Sequence, residues 1–217
     1  MNNNKRIFGN ELKYLQEVLD TEFRASFGAM MMKKFETGFS QKFGSKHGIA
    51  FVNGTATMHA ALEAWGIGPG DEVIVPPLTM ASTSFAVLQC NATPVFADVE
   101  KKTWCIDRAE IFKKITKKTK AVILVAANGR FPTYDVDKLR VELNELGIML
   151  IEDAAQSLGS TFSDGSAIGT KGNIATLSFS PPKIISTGQG GLVFSRDEKV
   201  MQKVKYLKDF GRTTGGI

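Results

Sequence analysis

Apolar positions along the chain alternate between a spacing of three to four and short unbroken runs, the mark of helices interleaved with buried strands. Leu12, Leu15, Val18 and Leu19 share one face of a helix expected at Glu11–Asp20. Phe35, Phe39 and Phe43 stand four apart in a second helix over 33–43, which Gly44 stops. The run GIAFV (48–52) reads as a strand, 55–65 as a helix, EVIVP (72–76) as a strand, 79–91 as a helix and TPVFADV (93–99) as a strand. A strand at 120–125 precedes a helix at 135–146 that Gly147 ends, and IMLIED (148–153) is the next strand. Strands at 173–179 and Gly191–Ser195 and an amphipathic helix at 197–210 complete the pattern. Strands apolar on both faces with helices between them predict an α/β fold, a three-layer α/β/α arrangement with a mostly parallel central sheet.

Composition narrows the function. With 217 residues, 43% hydrophobic and 23% charged, the chain matches an ordinary globular protein and can bury one large core. No stretch reaches the roughly 18–20 uncharged apolar residues that span a bilayer, so no membrane partner is expected. The start MNNNKRIFGNELKY lacks the apolar core of a secretory signal, which makes the cytoplasm the default location. Cys90 and Cys105 lack neighbours at metal-ligand spacing and read as reduced core thiols; His47 and His59 are equally isolated. The net charge of +5 is partly local, in KKITKKTK, with Lys113, Lys114, Lys117, Lys118 and Lys120. Without interleaved aromatics this run reads as a solvated helix end and loop leading into a strand, and no nucleic acid partner is expected.

In an open parallel sheet, ligands gather beyond the carboxyl ends of the strands. After GIAFV comes NGTAT (53–57), where Gly54 permits a tight turn, Thr55 can cap the helix or meet a ligand, and the first amides point outward toward an anion. After IMLI come Glu152 and Asp153; an acid there is costly to keep charged unless a cation, such as a protonated pyridine nitrogen, meets it, and Gln156 lies one turn on. After ATLSFS comes SPPKIISTGQGG, in which Pro181 and Pro182 force an extended path before Lys183. Desolvation would lower the pKa of such a lysine and let its neutral amine form an imine with an aldehyde. A phosphate cradle, an acid for a ring nitrogen and an imine-forming lysine together describe a pyridoxal phosphate site. GSAIGTKG (165–172) looks like a P-loop but has the wrong spacing.

These residues also carry a resemblance. From about Phe35 to Gly211 the sequence resembles the DegT-type nucleotide-sugar aminotransferases, within the fold-type-I pyridoxal phosphate enzymes. It does so through NGTATMHAALEAWGIGPGDEVIVPPLTMAST, PVFADVE, IEDAAQSLGS and SFSPPKIISTGQGGLVFS. The resemblance implies that Lys183 is the catalytic lysine that joins pyridoxal 5'-phosphate, that Asp153 faces the pyridine nitrogen and that Gln156 lies near the ring hydroxyl. It implies phosphate contacts from Thr55, the amide of Ala56 and Ser178, and puts Met80 where many members stack an aromatic ring on the cofactor. It implies transfer of an amino group from an amino acid, usually glutamate, to a keto group of a nucleotide-linked sugar, by a homodimer. A few relatives with histidine in place of the lysine are dehydratases, and a sugar dehydratase on the same scaffold is the alternative reading, against which the lysine argues. A non-catalytic module using the basic segment is the reading from a different class. The family's strand end PVHLYG is replaced by LVAANGRFP, a loop near the acceptor. Three regions are expected: an N-terminal helical segment (1–34), a cofactor-binding large domain (35–211) and, at 212–217, the start of a connection to a C-terminal small domain.

Overall fold

The computed structural model describes residues 8–21 and 30–212. Its core is a seven-stranded sheet in the order β1-β7-β6-β5-β4-β2-β3, with β1 His47–Phe51, β2 Glu72–Val75, β3 Thr93–Phe96, β4 Thr119–Val125, β5 Met149–Asp153, β6 Ile174–Ser178 and β7 Gly191–Ser195. The pairs β2–β3, β2–β4, β4–β5 and β5–β6 are parallel, and β7 runs against both β6 and β1. Six strands therefore point one way, and their carboxyl ends share one rim.

Seven helices cover the sheet: α1 Glu11–Asp20, α2 Met30–Phe43, α3 Gly54–Ala64, α4 Ser82–Gln89, α5 Arg108–Lys114, α6 Val136–Glu145 and α7 Glu198–Lys208, counted among the described residues. Alternate residues of one strand feed opposite layers. Val122, Leu124 and Leu150 pack with Leu139 and Leu143 of α6 and Phe39 of α2. Ala121, Ile123, Met149 and Ile151 pack with Ala61 and Leu62 of α3 and Val204 of α7. Both sides are dry, which is why the strands read as continuous apolar runs. The phenylalanine face of α2 closes one end: Phe39 lies 4.5 Å from Phe43 and 5.3 Å from Phe194, and Phe35 meets Phe179 edge-on at 5.4 Å.

Local chemistry sets the helix ends. Asp107, Asp135 and Asp197 each accept two backbone amides of the adjoining first turn, caps that contribute about 1 kcal/mol each. Gly44 and Gly147 adopt positive φ where α2 and α6 stop. Helix α3 starts one residue before the expected 55, because Asn53 and not Thr55 is its cap, with Oδ1 accepting from Ala56 N at 2.8 Å. Helix α5 has no counterpart in the apolar pattern, since it is seven residues long and buries only Ile111. It ends in Lys113 and Lys114, so the basic run is a helix end and a turn before β4, with Lys113 paired to Glu110. Helix α2 runs across the position drawn between the N-terminal segment and the large domain, and Lys34 pairs with Glu17 of α1 at 2.8 Å. Apart from Arg212, the expected connection over 212–217 lies outside the described residues.

Cys90 and Cys105 are free and buried. Burial pushes the Cys90 thiol up to about 11, with the Glu63 carboxylate adding to it, which makes it a core side chain and a poor nucleophile. Among the described residues no helix is long and apolar enough to cross a membrane.

Candidate active site

The chain leaves β2 toward the edge strand β3 but leaves β4 toward β5, so the strand order changes direction between β2 and β4. Crossovers diverge there and leave a crevice at the carboxyl rim. A cleft of about 460 Å³ opens on this rim, lined by Met80, Asn128, Gln156, Ser178, Ser180 and Lys183 among others. Four of the residues singled out from sequence, on segments that extend or end β2, β5 and β6, thus share one cavity.

Lys183 sits in the loop joining β6 to β7. Its backbone amide donates to Ser180 O at 3.0 Å, closing a tight turn through Pro181 and Pro182, and the residue is half-buried. The loop is stapled at its base, where Phe179 N donates to Gly190 O at 2.8 Å and Thr187 N to Phe179 O at 3.0 Å.

Asp153 ends β5 and is only 4% exposed. Burial pushes its carboxyl above the usual aspartate range. The Ala155 N–H, at 3.1 Å from Oδ1, the charge of Lys183 and the hydroxyl of the fully buried Thr83 pull in the other direction. Lys183 thus acts electrostatically on the buried acid beneath the cleft. Thr83 in turn meets Thr79 Oγ1 at 3.0 Å.

Gln156 is oriented by its neighbour: Oε1 accepts Asn128 N–H at 2.8 Å, which leaves the Nε2 donor as what it offers to the cleft. Ser178 Oγ donates to Ser180 Oγ at 3.2 Å. Beside it begins α3. A Cβ on Gly54 would fall 2.9 Å from Ser178 Cβ, so only glycine lets the helix start press this closely on the end of β6. Thr55 comes next in the chain, and neither it nor Ala56 is among the residues that line the cleft. The amide of Ala56 donates to Asn53 Oδ1, so an anion would reach it only by sharing that donor or displacing Asn53. Met80, at the rim, is 60% exposed.

The neighbouring acid does something different. Glu152 accepts Gly169 N at 2.8 Å, Lys171 N at 2.7 Å and Gly172 N. The P-loop look-alike therefore binds a carboxylate of its own chain.

The family model for the DegT/DnrJ/EryC1/StrS aminotransferases matches residues 5–216. The chain belongs to that family. Family aminotransferases depend on pyridoxal phosphate. The GDP-perosamine synthase of Caulobacter vibrioides is 40% identical to this DegT-family chain over 206 residues, 95% of this chain and 54% of that protein. The aminotransferase from Psychrobacter cryohalolentis superposes with a TM-score of 0.87 at 35% identity, covering 95% of this chain and 52% of its own. NtdA from Bacillus subtilis, solved with the cofactor PMP bound, superposes at 0.79 with 27% identity, over 98% of this chain and 49% of that one. The chain spans about half the length of the relatives it matches. Its fold is that of the fold-type-I large domain, as the resemblance implied.

Sequence reasoning passed over Asn53, Thr83 and Asn128. Asn53 and Asn128 each stand before a glycine, a turn signal that says nothing about a cleft. Thr83 carries no local signal at all; only tertiary packing brings it under Asp153.

Proposed function

We propose that this chain is the cofactor-binding part of a pyridoxal phosphate-dependent aminotransferase that moves an amino group from an amino acid, glutamate first, to a keto group of a nucleotide-linked sugar. One observation carries the reading: Lys183 lines a cleft at the topological switch point while acting electrostatically on Asp153, a carboxylate buried beneath it.

The residues fit the cofactor. A buried acid with a single backbone amide partner suits a pyridinium nitrogen, and a helix start forced against Ser178 suits a phosphate. Pyridoxal phosphate, when bound, supplies an aldehyde and an electron-withdrawing ring. Lys183 would hold the cofactor by joining its amine to that aldehyde with loss of water, and its amine would also be the base and acid that carries the proton at the substrate carbon. Asp153 would hold the ring nitrogen protonated. Gln156 would offer Nε2 to the ring hydroxyl oxygen, because Asn128 already engages its other end. Thr55, Ser178 and the amide of Ala56 would bind the phosphate. Met80 would pack its thioether on the ring from the rim. The homodimer implied by the resemblance is supported by apolar side chains left in water around the cleft end of the sheet, among them Val52, Leu78, Phe85 and Ile184. The relatives' names make GDP-perosamine the first product to test.

Adding pyridoxal phosphate to the purified protein is expected to give the visible absorbance of a lysine-linked cofactor, and Lys183→Ala to abolish it. Incubation with glutamate and a nucleotide-linked keto sugar is expected to release 2-oxoglutarate. Unchanged absorbance in Lys183→Ala removes the lysine from its role.

A further inference from the structure

The structure holds the segment after β4 in an unusual shape. Asn128 is left-handed, with φ 53° and ψ 33°, and Gly129 comes next at φ +77°. A Cβ on Gly129 would stand 3.0 Å from Ser160 Oγ. Two successive left-handed residues fold the chain tightly over the cleft rim, and three contacts lock them. Asn128 N donates to Gln156 Oε1 at 2.8 Å, Arg130 N donates to Ala127 O at 3.0 Å, and the Arg130 guanidinium stacks 4.2 Å from the Trp104 ring. Trp104 is itself left-handed, at φ 63°. Non-glycine residues in this region gather where the surroundings impose them, often at functional sites.

What this locking positions is the Asn128 side chain. An exposed residue, it lines the cleft with Lys183, Gln156 and Ser180, and among the described residues its side-chain amide makes no hydrogen bond within the chain, which leaves it available to a ligand. A turn that needed only left-handed backbone is served by glycine, as at position 129; the amide adds a paired donor and acceptor over the cavity. A sugar hydroxyl, which both donates and accepts, is the complementary group. We propose that Asn128 determines acceptor specificity by hydrogen-bonding an oxygen substituent of the sugar ring next to the carbon whose amino group is exchanged. The proposal rests on the aminotransferase reading and adds to it the residue that recognises the sugar.

The test uses the pyridoxal phosphate-loaded protein, with GDP-perosamine as probe, and tracks binding by change in the cofactor's absorbance. Asn128→Gly keeps the left-handed backbone and deletes the amide; Asn128→Asp keeps the shape and trades the donor for a charge. Both are expected to retain the lysine-linked absorbance and to bind GDP-perosamine about tenfold more weakly, or about 1.4 kcal/mol. Equal affinity in the parent and both variants overturns the proposal. So does an absence of GDP-perosamine binding by a parent protein that shows the normal absorbance, since the sugar is then not recognised here. A parent without that absorbance fails at Lys183, and the aminotransferase reading falls and takes this proposal with it.

Discussion

Glu152 and Asp153 are adjacent, both buried and both pushed above their ordinary pKa by burial, yet they serve opposite ends. As neighbours on a strand they face opposite layers of the molecule. Glu152 has three backbone amides from the 169–172 loop, which accounts for a buried carboxylate by structure alone. Asp153 has one amide, a buried hydroxyl and the charge of a lysine across a cleft. The first acid closes a loop through backbone amides alone; the second is held partly by the charge of a side chain that lines the cleft. A buried acid coupled to a cleft-lining lysine is a candidate site residue, whereas one consumed by a loop of its own chain is an anchor.

The comparison is broken most forcefully at Glu152. Glu152→Ala orphans three amides, each costing about 1 kcal/mol or more, so a loss of roughly 3 kcal/mol is expected. That corresponds to a fall of about 6–12 °C in the unfolding midpoint for a domain of this size, read by calorimetry. Asp153→Asn is expected to leave the midpoint of the cofactor-free protein nearly unchanged, while amino transfer falls by about 100-fold, measured as kcat/KM with glutamate and sugar nucleotide. An Asp153→Asn variant that unfolds as early as Glu152→Ala erases the distinction.

A smaller effect sharpens it by pH. With its pKa raised above 3.8, folded Asp153 holds its proton to higher pH than the unfolded chain does. Stability contributed by this group therefore falls as pH rises from the ordinary aspartate value through the raised one, by at most about 1.4 kcal/mol per pH unit for one proton. Urea unfolding across that window should show a shallower decline in Asp153→Asn than in the parent, with the slope owed to Glu152 left in place.

Much of this is legible in the amino-acid order, for reasons the same pair illustrates. Strands β2, β4 and β5 are buried on both faces, so hydrophobicity alone marks them, and GIGPGD and Gly147 mark helix stops by chemistry that works locally. Asp153, Gln156, Ser178 and Lys183 stand at or just beyond strand ends, where an open parallel sheet gathers its ligands, so topology points to them. That Glu152 would be consumed by the 169–172 loop was not visible, because the loop lies 17 to 20 residues away and meets the acid only through folding. Short α5, with one buried residue, gives too little periodicity to detect. Gln156 and Asn128 stand 28 positions apart, and nothing local joins them.

The reversed direction of β7 has a consequence for how the segment around Lys183 can be varied. A parallel neighbour would need a return passage across a face of the sheet, which ties any change there to helix packing. Here the chain leaves β6 and re-enters β7 on one shore, and the two ends of the excursion clasp each other through Phe179 and Gly190. The segment bearing Lys183 can therefore lengthen, shorten or change composition as a self-contained insert, while the layers beneath keep their order.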